Sequence, residues 1–406
     1  MSALKSRPFL ILIAGFLVLF IGGGARLAIG LTLKPMVEEL GWGRSELGVT
    51  VAVFQVVTAI AMFYAGKIAD TMSLRLVLGG GVALGGVTIG AMSLVTQPWH
   101  AFLLYGVAFA IGNGIAATTP VAVMVTRAYP HKAGMANAIA LGGMGVGQLV
   151  VVAVLAAVMV SVGWRSVYIW VGAAHFVLIP LILAAVPGRA AAAQARSAAS
   201  QEGMTLREAS RTKQFWLLIG IFAICGFDDF FVTTHVVAFA QDRGLDAYVA
   251  GNLLAAMGVV GLIGVIISGA WGDKSGPIAP TIATVAARVA VFGLVAVDQS
   301  QLSVLIFAMV FGVSFLATAP LTVLFVRDSF GTRNLGAIGG LIVMIHHMCG
   351  GLGAYIGAVV FDGTGSYDVV FIVMCVASLA AALFTWALSR AGPADPSLAA
   401  ARPAKA

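Results

Sequence analysis

The sequence predicts an all-α membrane protein: twelve transmembrane helices in two six-helix pseudo-repeat bundles. Three observations carry this prediction. First, 60% of the 406 residues are hydrophobic and only 10% are charged, at a mean hydropathy of +1.03. A soluble domain carries about 25% charged residues. So few charges cannot coat a water-facing surface of this size, which excludes a soluble enzyme, a nucleic-acid binder and a disordered scaffold. Second, the apolar residues fall in stretches that reach the length of about 20 residues needed to cross a bilayer as a helix. Third, short motifs recur at nearly one offset between the two halves of the chain. Alternating ten-residue segments of barrel type do not occur.

The first stretch, roughly 9–33, is too long for the apolar core of a cleavable signal and reads as span 1. Spans 2 to 6 follow at roughly 46–66, 75–95, 99–126, 132–160 and 164–186. Spans 7 to 12 lie at roughly 214–240, 247–270, 278–297, 301–327, 333–361 and 367–389. The longest polar stretch separates six spans from six. The organisation is therefore an N-terminal bundle at 1–186, a linker at 187–213, a C-terminal bundle at 214–390 and a tail at 391–406. Within the linker, Thr205-Leu206-Arg207-Glu208 reads as a capping box that starts a helix. The 50 glycines suit closely packed membrane helices. Gly79-Gly80-Gly81 and Gly142-Gly143, with Gly145 and Gly147, read as packing positions and not as phosphate loops. No Walker sequence occurs, so ATP is not expected to drive the protein.

Charge placement orients the chain. The net charge is +7, yet no run of five like charges exists, so the basic residues do not form a nucleic-acid patch. With both termini inside, 17 of the 23 Lys and Arg fall on the inner side, from Lys5 and Arg7 to Arg402 and Lys405. Only Lys34, Arg44, Arg165 and Arg243 fall outside, and Arg26 and Arg288 remain within spans. The positive-inside rule then places both termini in the cytoplasm, with a bacterial inner membrane as the expected location. Cys225, Cys349 and Cys375 all lie in apolar stretches and imply no disulfide framework.

The halves repeat. Gly66-Lys67-Ile68-Ala69-Asp70 after span 2 is echoed by Gly269-Ala270-Trp271-Gly272-Asp273 after span 8, an offset of 203. Ala117-Thr118-Thr119-Pro120 with Arg127 is echoed by Ala317-Thr318-Ala319-Pro320 with Arg327, an offset of 200. A six-plus-six parallel repeat is the architecture of a transporter with a midplane site. No channel-type filter sequence is evident. Gly66–Asp70 with Arg75, and its echo at Gly269–Asp273, resemble the signature loops of the major facilitator superfamily. Three further stretches resemble its branch of monocarboxylate transporters and oxalate/formate antiporters. These are Lys34-Pro35-Met36 through Leu40-Gly41-Trp42-Gly43-Arg44, Tyr129-Pro130-His131-Lys132-Ala133-Gly134-Met135-Ala136, and Phe361-Asp362-Gly363-Thr364-Gly365-Ser366-Tyr367. The resemblance implies the major facilitator fold, cavity-lining roles for spans 1, 4, 7 and 10, and supporting roles for spans 3, 6, 9 and 12. It also implies a gating role for Asp70, Arg75 and Asp273.

An ionisable side chain in mid-bilayer is costly and marks function by default. The set is Arg26, Asp228, Asp229, Arg288, His175, His235, His346 and His347. On span 7, Asp228 and His235 share a helical face about 10.5 Å apart along the axis. Asp228 and Asp229 are the candidate proton-coupling residues, with His235 beside them. The repeat offset places Arg26 and Asp229 at equivalent positions, which makes Arg26 the leading carboxylate anchor and Asp229 its candidate internal partner. Arg288 needs a buried partner, for which Asp228 is a candidate. On span 11, His346 and His347 point to different faces, so one of them is expected at the site; His347 joins Arg26, Asn113, His235 and Thr318 as a substrate-binding candidate. Gln55, Gln148, Asn252 and Ser314 are neutral polar candidates with the commoner use of bonding a neighbouring helix. The histidine pair lacks the convergent ligands of a metal site, and no cofactor is implied.

These residues predict a secondary transporter, not an enzyme, acting as a monomer. It moves a small organic anion, most simply a monocarboxylate, in symport with a proton. Anion-for-anion exchange and export of hydrophobic or cationic compounds are the alternatives.

Overall fold

A computed structural model describes residues 2–42, 44–188 and 203–395. It bears out the all-helical architecture, with 12 helical segments long and apolar enough to cross a membrane, from Pro8–Thr32 to Asp368–Ala391. The predicted spans match these segments to within a few residues at most ends. Among the described residues the only extended pairing is an isolated bridge, Gly203 to Gly331. Arg189, Arg196, Arg402 and Lys405 lie outside the described residues.

Span 12 (Asp368–Ala391) shows how an outer apolar stripe is separated from a packed inner one. It exposes Leu379, Leu383 and Trp386 at helical spacing, while Met374, Ser378, Ala381 and Thr385 are fully buried. Exposed large apolar side chains are unfavourable in water and neutral in lipid, so this surface fits a bilayer.

The chain divides into two compact units. Unit 1 comprises Met1–Pro130, Ile139–Gln201 and Gly339–Leu341. Within it, spans 1 and 5 pack backbone to backbone. A Cβ at Gly143 would sit 2.2 Å from the Phe16 carbonyl oxygen, and one at Gly147 would sit 1.9 Å from that of Phe20. Those two glycines serve as the packing positions expected. Gly79 and Gly80 do not: a Cβ at either would meet open space, and only Gly81 of that run lies against a neighbour. Composition cannot tell an inward-facing glycine from an outward one.

Unit 2 comprises His131–Ala138, Glu202–Ile338 and Ile342–Ala406. Spans 7 and 11 pack as spans 1 and 5 do. A Cβ at Gly226 would lie 2.0 Å from the His346 carbonyl oxygen, and one at Gly353 would lie 2.3 Å from that of Phe227. Phe231, Phe239, Phe292, Phe307, Phe311 and Phe371 form the aromatic core of this unit. The capping box is present: the Glu208 carboxylate accepts from Thr205 N–H at 2.7 Å, and Glu208 N–H donates to the Thr205 hydroxyl at 3.2 Å. It starts the short helix Leu206–Ala209.

Three spans that read as single helices are broken. Span 4 breaks between Ala110–Ile115 and Thr118–Ala128, and span 10 between Gln301–Phe315 and Thr318–Phe330. The repeated Ala-Thr-x-Pro motif explains both. Pro120 and Pro320 have no N–H for the carbonyl four residues back, and their rings clash with it. Span 1 breaks without proline, between Ser2–Ala25 and Ala28–Leu40, leaving Arg26 and Leu27 in the turn. There the Leu27 N–H bonds only three residues back, to Gly24 at 3.0 Å, after the Gly22-Gly23-Gly24 run.

Candidate functional site

In unit 2 the sequence places two adjacent carboxylates on span 7, and the fold brings an arginine from span 9 onto them. Asp228, Asp229 and Arg288 are 0%, 2% and 1% exposed. The Arg288 Nη2 lies 2.7 Å from Asp229 Oδ1, and Nη1 lies 3.7 Å from Asp228 Oδ2. The cation facing Asp229 is therefore Arg288 of its own unit. This corrects the expectation that Asp229 partners Arg26, and Asp228 is the more distant of the two carboxylates that Arg288 meets. Repeat equivalence relates positions, whereas packing chooses partners.

The remaining Arg288 donors are also used. Nε donates to the Ser314 hydroxyl at 3.2 Å, Nη2 to the Ser314 carbonyl at 3.1 Å and Nη1 to the Cys225 carbonyl at 3.4 Å. Ser314 sits at the end of the first half of span 10, where the break turns a helix C-terminus toward the cation. The guanidinium also stacks over Phe311, 4.9 Å from the ring centroid. Ser378 of span 12 donates to Asp228 Oδ2 at 3.0 Å, while Asp228 Oδ1 is buried without a hydrogen-bond partner.

The histidines separate. His346 Nε2 lies 3.7 Å from Asp229 Oδ2, and its Nδ1 lies 3.1 Å from the Phe222 carbonyl. His347 turns its Nδ1 to the Val343 carbonyl of its own helix at 2.9 Å. His235 is engaged at both nitrogens, by the Ala354 carbonyl at 2.9 Å and the Tyr367 hydroxyl at 3.0 Å. It belongs to the aromatic core and does not join Asp228. Thr318 is buried at the start of the second half of span 10, where its carbonyl accepts from the Thr322 hydroxyl at 3.1 Å.

In unit 1, Arg26 sits at the break in span 1. The Tyr105 hydroxyl donates to its backbone carbonyl, which anchors the turn. Tyr105 lies in a π-helical stretch of span 4, Phe102–Phe109, a form common at functional sites. Among the described residues no carboxylate pairs with the Arg26 guanidinium, and its buried Nε has no hydrogen-bond partner. Asn113 lines a small cavity with Gly22, Gly112, Ala116 and His175. His175 Nδ1 faces the Val171 carbonyl at 2.8 Å.

The signature loops differ between the units. In unit 1, Arg127 approaches Asp70 at 3.5 Å, and Arg75 Nε donates to the Val186 carbonyl at 2.7 Å. In unit 2, the Asp273 carboxylate accepts the backbone N–H of Gly134 and of Met135, at 2.7 and 2.8 Å. It caps a helix N-terminus, where the helix dipole favours an anion. Gly134 and Gly269 make room: a Cβ on either would lie within 2.6 Å of the other's carbonyl oxygen.

Ser378, the Phe222 carbonyl and Tyr105 were not singled out by sequence. Ser378 is one of the few polar residues in span 12, but its partner is 150 positions away.

The Major Facilitator Superfamily profile matches residues 13–354. An uncharacterized MFS-type transporter, YcxA, of Bacillus subtilis is 27% identical over 358 residues, 85% of this chain and 86% of that one. Monocarboxylate transporter 13 of Rattus norvegicus is 25% identical over 302 residues, 73% of this chain and 69% of that one. Among solved structures, the Escherichia coli fucose:proton symporter FucP superposes with a TM-score of 0.75 at 14% identity, covering 94% of this chain and 99% of that one. The proton:xylose symporter XylE gives 0.73 at 15% identity, covering 94% and 96%.

Proposed function

We infer a substrate class and a coupling ion from one premise: this chain belongs to the Major Facilitator Superfamily of transporters. The reading is a symporter that moves a small organic anion, a monocarboxylate, together with a proton by alternating access. It functions as a monomer in a bacterial inner membrane, with both termini cytoplasmic.

The observation that carries it is the inequality of the two membrane arginines. Arg288 has every nitrogen engaged and two carboxylates beside it. Arg26 has no carboxylate partner among the described residues and stands where the helix opens. A guanidinium binds a carboxylate through two parallel hydrogen bonds, so Arg26 is the cation available to an anionic substrate. Monocarboxylate transporter 13 supports the substrate class by its name.

The proton belongs to the other arginine. Two carboxylates and one guanidinium, all ionised, leave one uncompensated negative charge in an apolar setting, and one proton neutralises it. Protonation of Asp229 then leaves Arg288 with Asp228 as its one anionic partner, whereas the sequence alone pointed to release of Arg26. Substrate and proton are coupled when both favour the same conformational state.

A screen in reconstituted vesicles tests the reading. Small monocarboxylates should accumulate against their gradient when the only driving force is acid on the entry side, and Arg26→Ala should abolish this. Anion exchange indifferent to the pH gradient would identify the exchanger instead. Movement of cationic or hydrophobic compounds alone would identify the exporter.

A further inference from the structure

Resting on the proton-coupled reading, we propose that His346 is the residue through which the proton reaches Asp229. The Phe222 carbonyl can only accept, so the imidazole Nδ1 beside it carries hydrogen. In the neutral ring, Nε2 is then a bare lone pair. It faces Asp229 Oδ2, another acceptor, at 3.7 Å. Two acceptors face one another across a gap longer than a hydrogen bond, so a proton passes when the imidazole closes on the carboxylate or one water bridges them. Placed on Nε2, that proton gives an imidazolium–carboxylate pair; placed on Oδ2, it gives a neutral O–H donor opposite a neutral imidazole.

Exposure sets the direction of supply. The His346 side chain is 18% exposed, against 3% for Asp229 and 1% for Arg288. His346 is the wet end of the chain and Arg288 the dry end. The other Asp229 oxygen is occupied by Arg288 at 2.7 Å, so Oδ2 is the one open to a proton. The titratable and charged groups facing this pair are Cys225 and Asp228 from span 7, Arg288 from span 9 and His347 from span 11.

The step balances without an oxidant or reductant. A proton from water bonds to the Nε2 lone pair. The N–H bond then breaks as an O–H bond forms on Asp229 Oδ2, and the electron pair returns to Nε2. Asp229 ends neutral and the imidazole ends as it began. Arg288 now has one anionic partner, Asp228, 3.7 Å from Nη1 and with Oδ1 free of hydrogen bonds. The guanidinium shifts toward it. Because Arg288 also holds Ser314 at the break in span 10, the proton's arrival is felt at that break.

Two measurements on the full chain, neither of which needs a substrate, test the relay. Nitrogen-15 NMR of histidine-labelled wild type should show neutral His346 with hydrogen on Nδ1; hydrogen on Nε2 would overturn the proposal. A pH jump followed by infrared spectroscopy should show a carboxylic-acid band that is missing in Asp229→Asn. In His346→Gln that band should rise at least about tenfold more slowly, since a positioned acid–base group contributes about 10²–10⁴ in rate. Added imidazole should restore the rate, which it would not do for a purely structural histidine. An unchanged rate in His346→Gln overturns the relay, as does the absence of the band in wild type. A failed carboxylate screen with an intact band would sink the substrate reading alone.

Discussion

Spans 1 and 7 hold equivalent places in the repeat, yet the residues at the equivalent point are opposites. Span 1 puts Arg26 there, breaks its helix, and leaves the guanidinium without a carboxylate among the described residues. Span 7 puts Asp229 there, continues as one helix from Lys213 to Asp242, and ties the carboxylate to Arg288. On the proposed reading, one repeated scaffold separates two tasks. A cation held at a helix break and left unpaired would receive the mobile anion. A carboxylate held in an intact helix against a fixed cation would receive the proton, a ligand small enough to enter without moving heavy atoms far.

The largest expected effect is on the paired side. Arg288→Ala strands two buried carboxylates, and removing one partner of a buried pair costs about 3–5 kcal/mol. The variant should fold poorly in thermal melts of detergent-purified protein, and adding Asp229→Asn should recover part of the loss. Melting equal to wild type would show that the carboxylates need no counter-ion.

Arg26→Ala is the matching test of the unpaired side. It should leave the melt unchanged and weaken carboxylate binding. A charge-assisted hydrogen bond of about 1.5–3 kcal/mol corresponds to roughly 10- to 150-fold in affinity. Arg26→Lys keeps the charge, loses the two-point geometry and should also bind much more weakly. Wild-type affinity in Arg26→Ala removes Arg26 from the site.

The two carboxylates of span 7 should differ in their effects. Asp229→Asn mimics the protonated state permanently, so it should retain anion-for-anion exchange and lose accumulation driven by a pH gradient. Asp228→Asn is the companion variant, because Asp228 has the longer ion pair and the unpartnered oxygen. Gradient-driven accumulation in Asp229→Asn places the proton elsewhere.

The signature loops give a smaller effect. Asp273→Asn keeps an acceptor oxygen but loses charge toward two helix N–H groups. Transport should slow several-fold, while equilibrium substrate binding stays within about twofold, as expected for a contact that serves the conformational change. Equal loss of binding argues for a direct substrate role.

The smallest effect is at the linker. The Thr205 backbone N–H and hydroxyl hold the Glu208 carboxyl below its usual range. A lowered carboxyl contributes stability above its unfolded range and loses it as pH falls through the folded value. Thr205→Ala should melt slightly below wild type at neutral pH, and the two curves should converge in acid.

Much of the fold was legible because its signals are local. Long apolar runs give spans, and a Thr-x-x-Glu sequence gives a cap. The helix breaks at Pro120 and Pro320 were encoded in the same motif that revealed the repeat, although only the structure showed the motif acting as a break. The break at Arg26 carries no proline and was not legible as one. The ionisable members of the buried cluster, Asp228, Asp229, Arg288 and His346, were visible in the sequence as polar groups in apolar runs, but their pairings and the Ser378 contact were not. Arg26 and Arg288 look alike in sequence, each a single arginine in an apolar run. His346 and His347 differ by one position, yet one meets Asp229 and the other its own helix.

By itself, then, the sequence determined that this chain crosses a membrane twelve times as two related halves, because hydropathy and periodicity are properties of contiguous residues. It also determined which ionisable side chains lie within apolar spans. Only the tertiary structure decided that Arg288 and not Arg26 neutralises Asp229, that Ser378 and Ser314 complete that cluster, and that His235 belongs to an aromatic core. The partner of a buried charge is whichever group the packing of distant helices brings within a few ångströms, and no spacing along one chain encodes that distance.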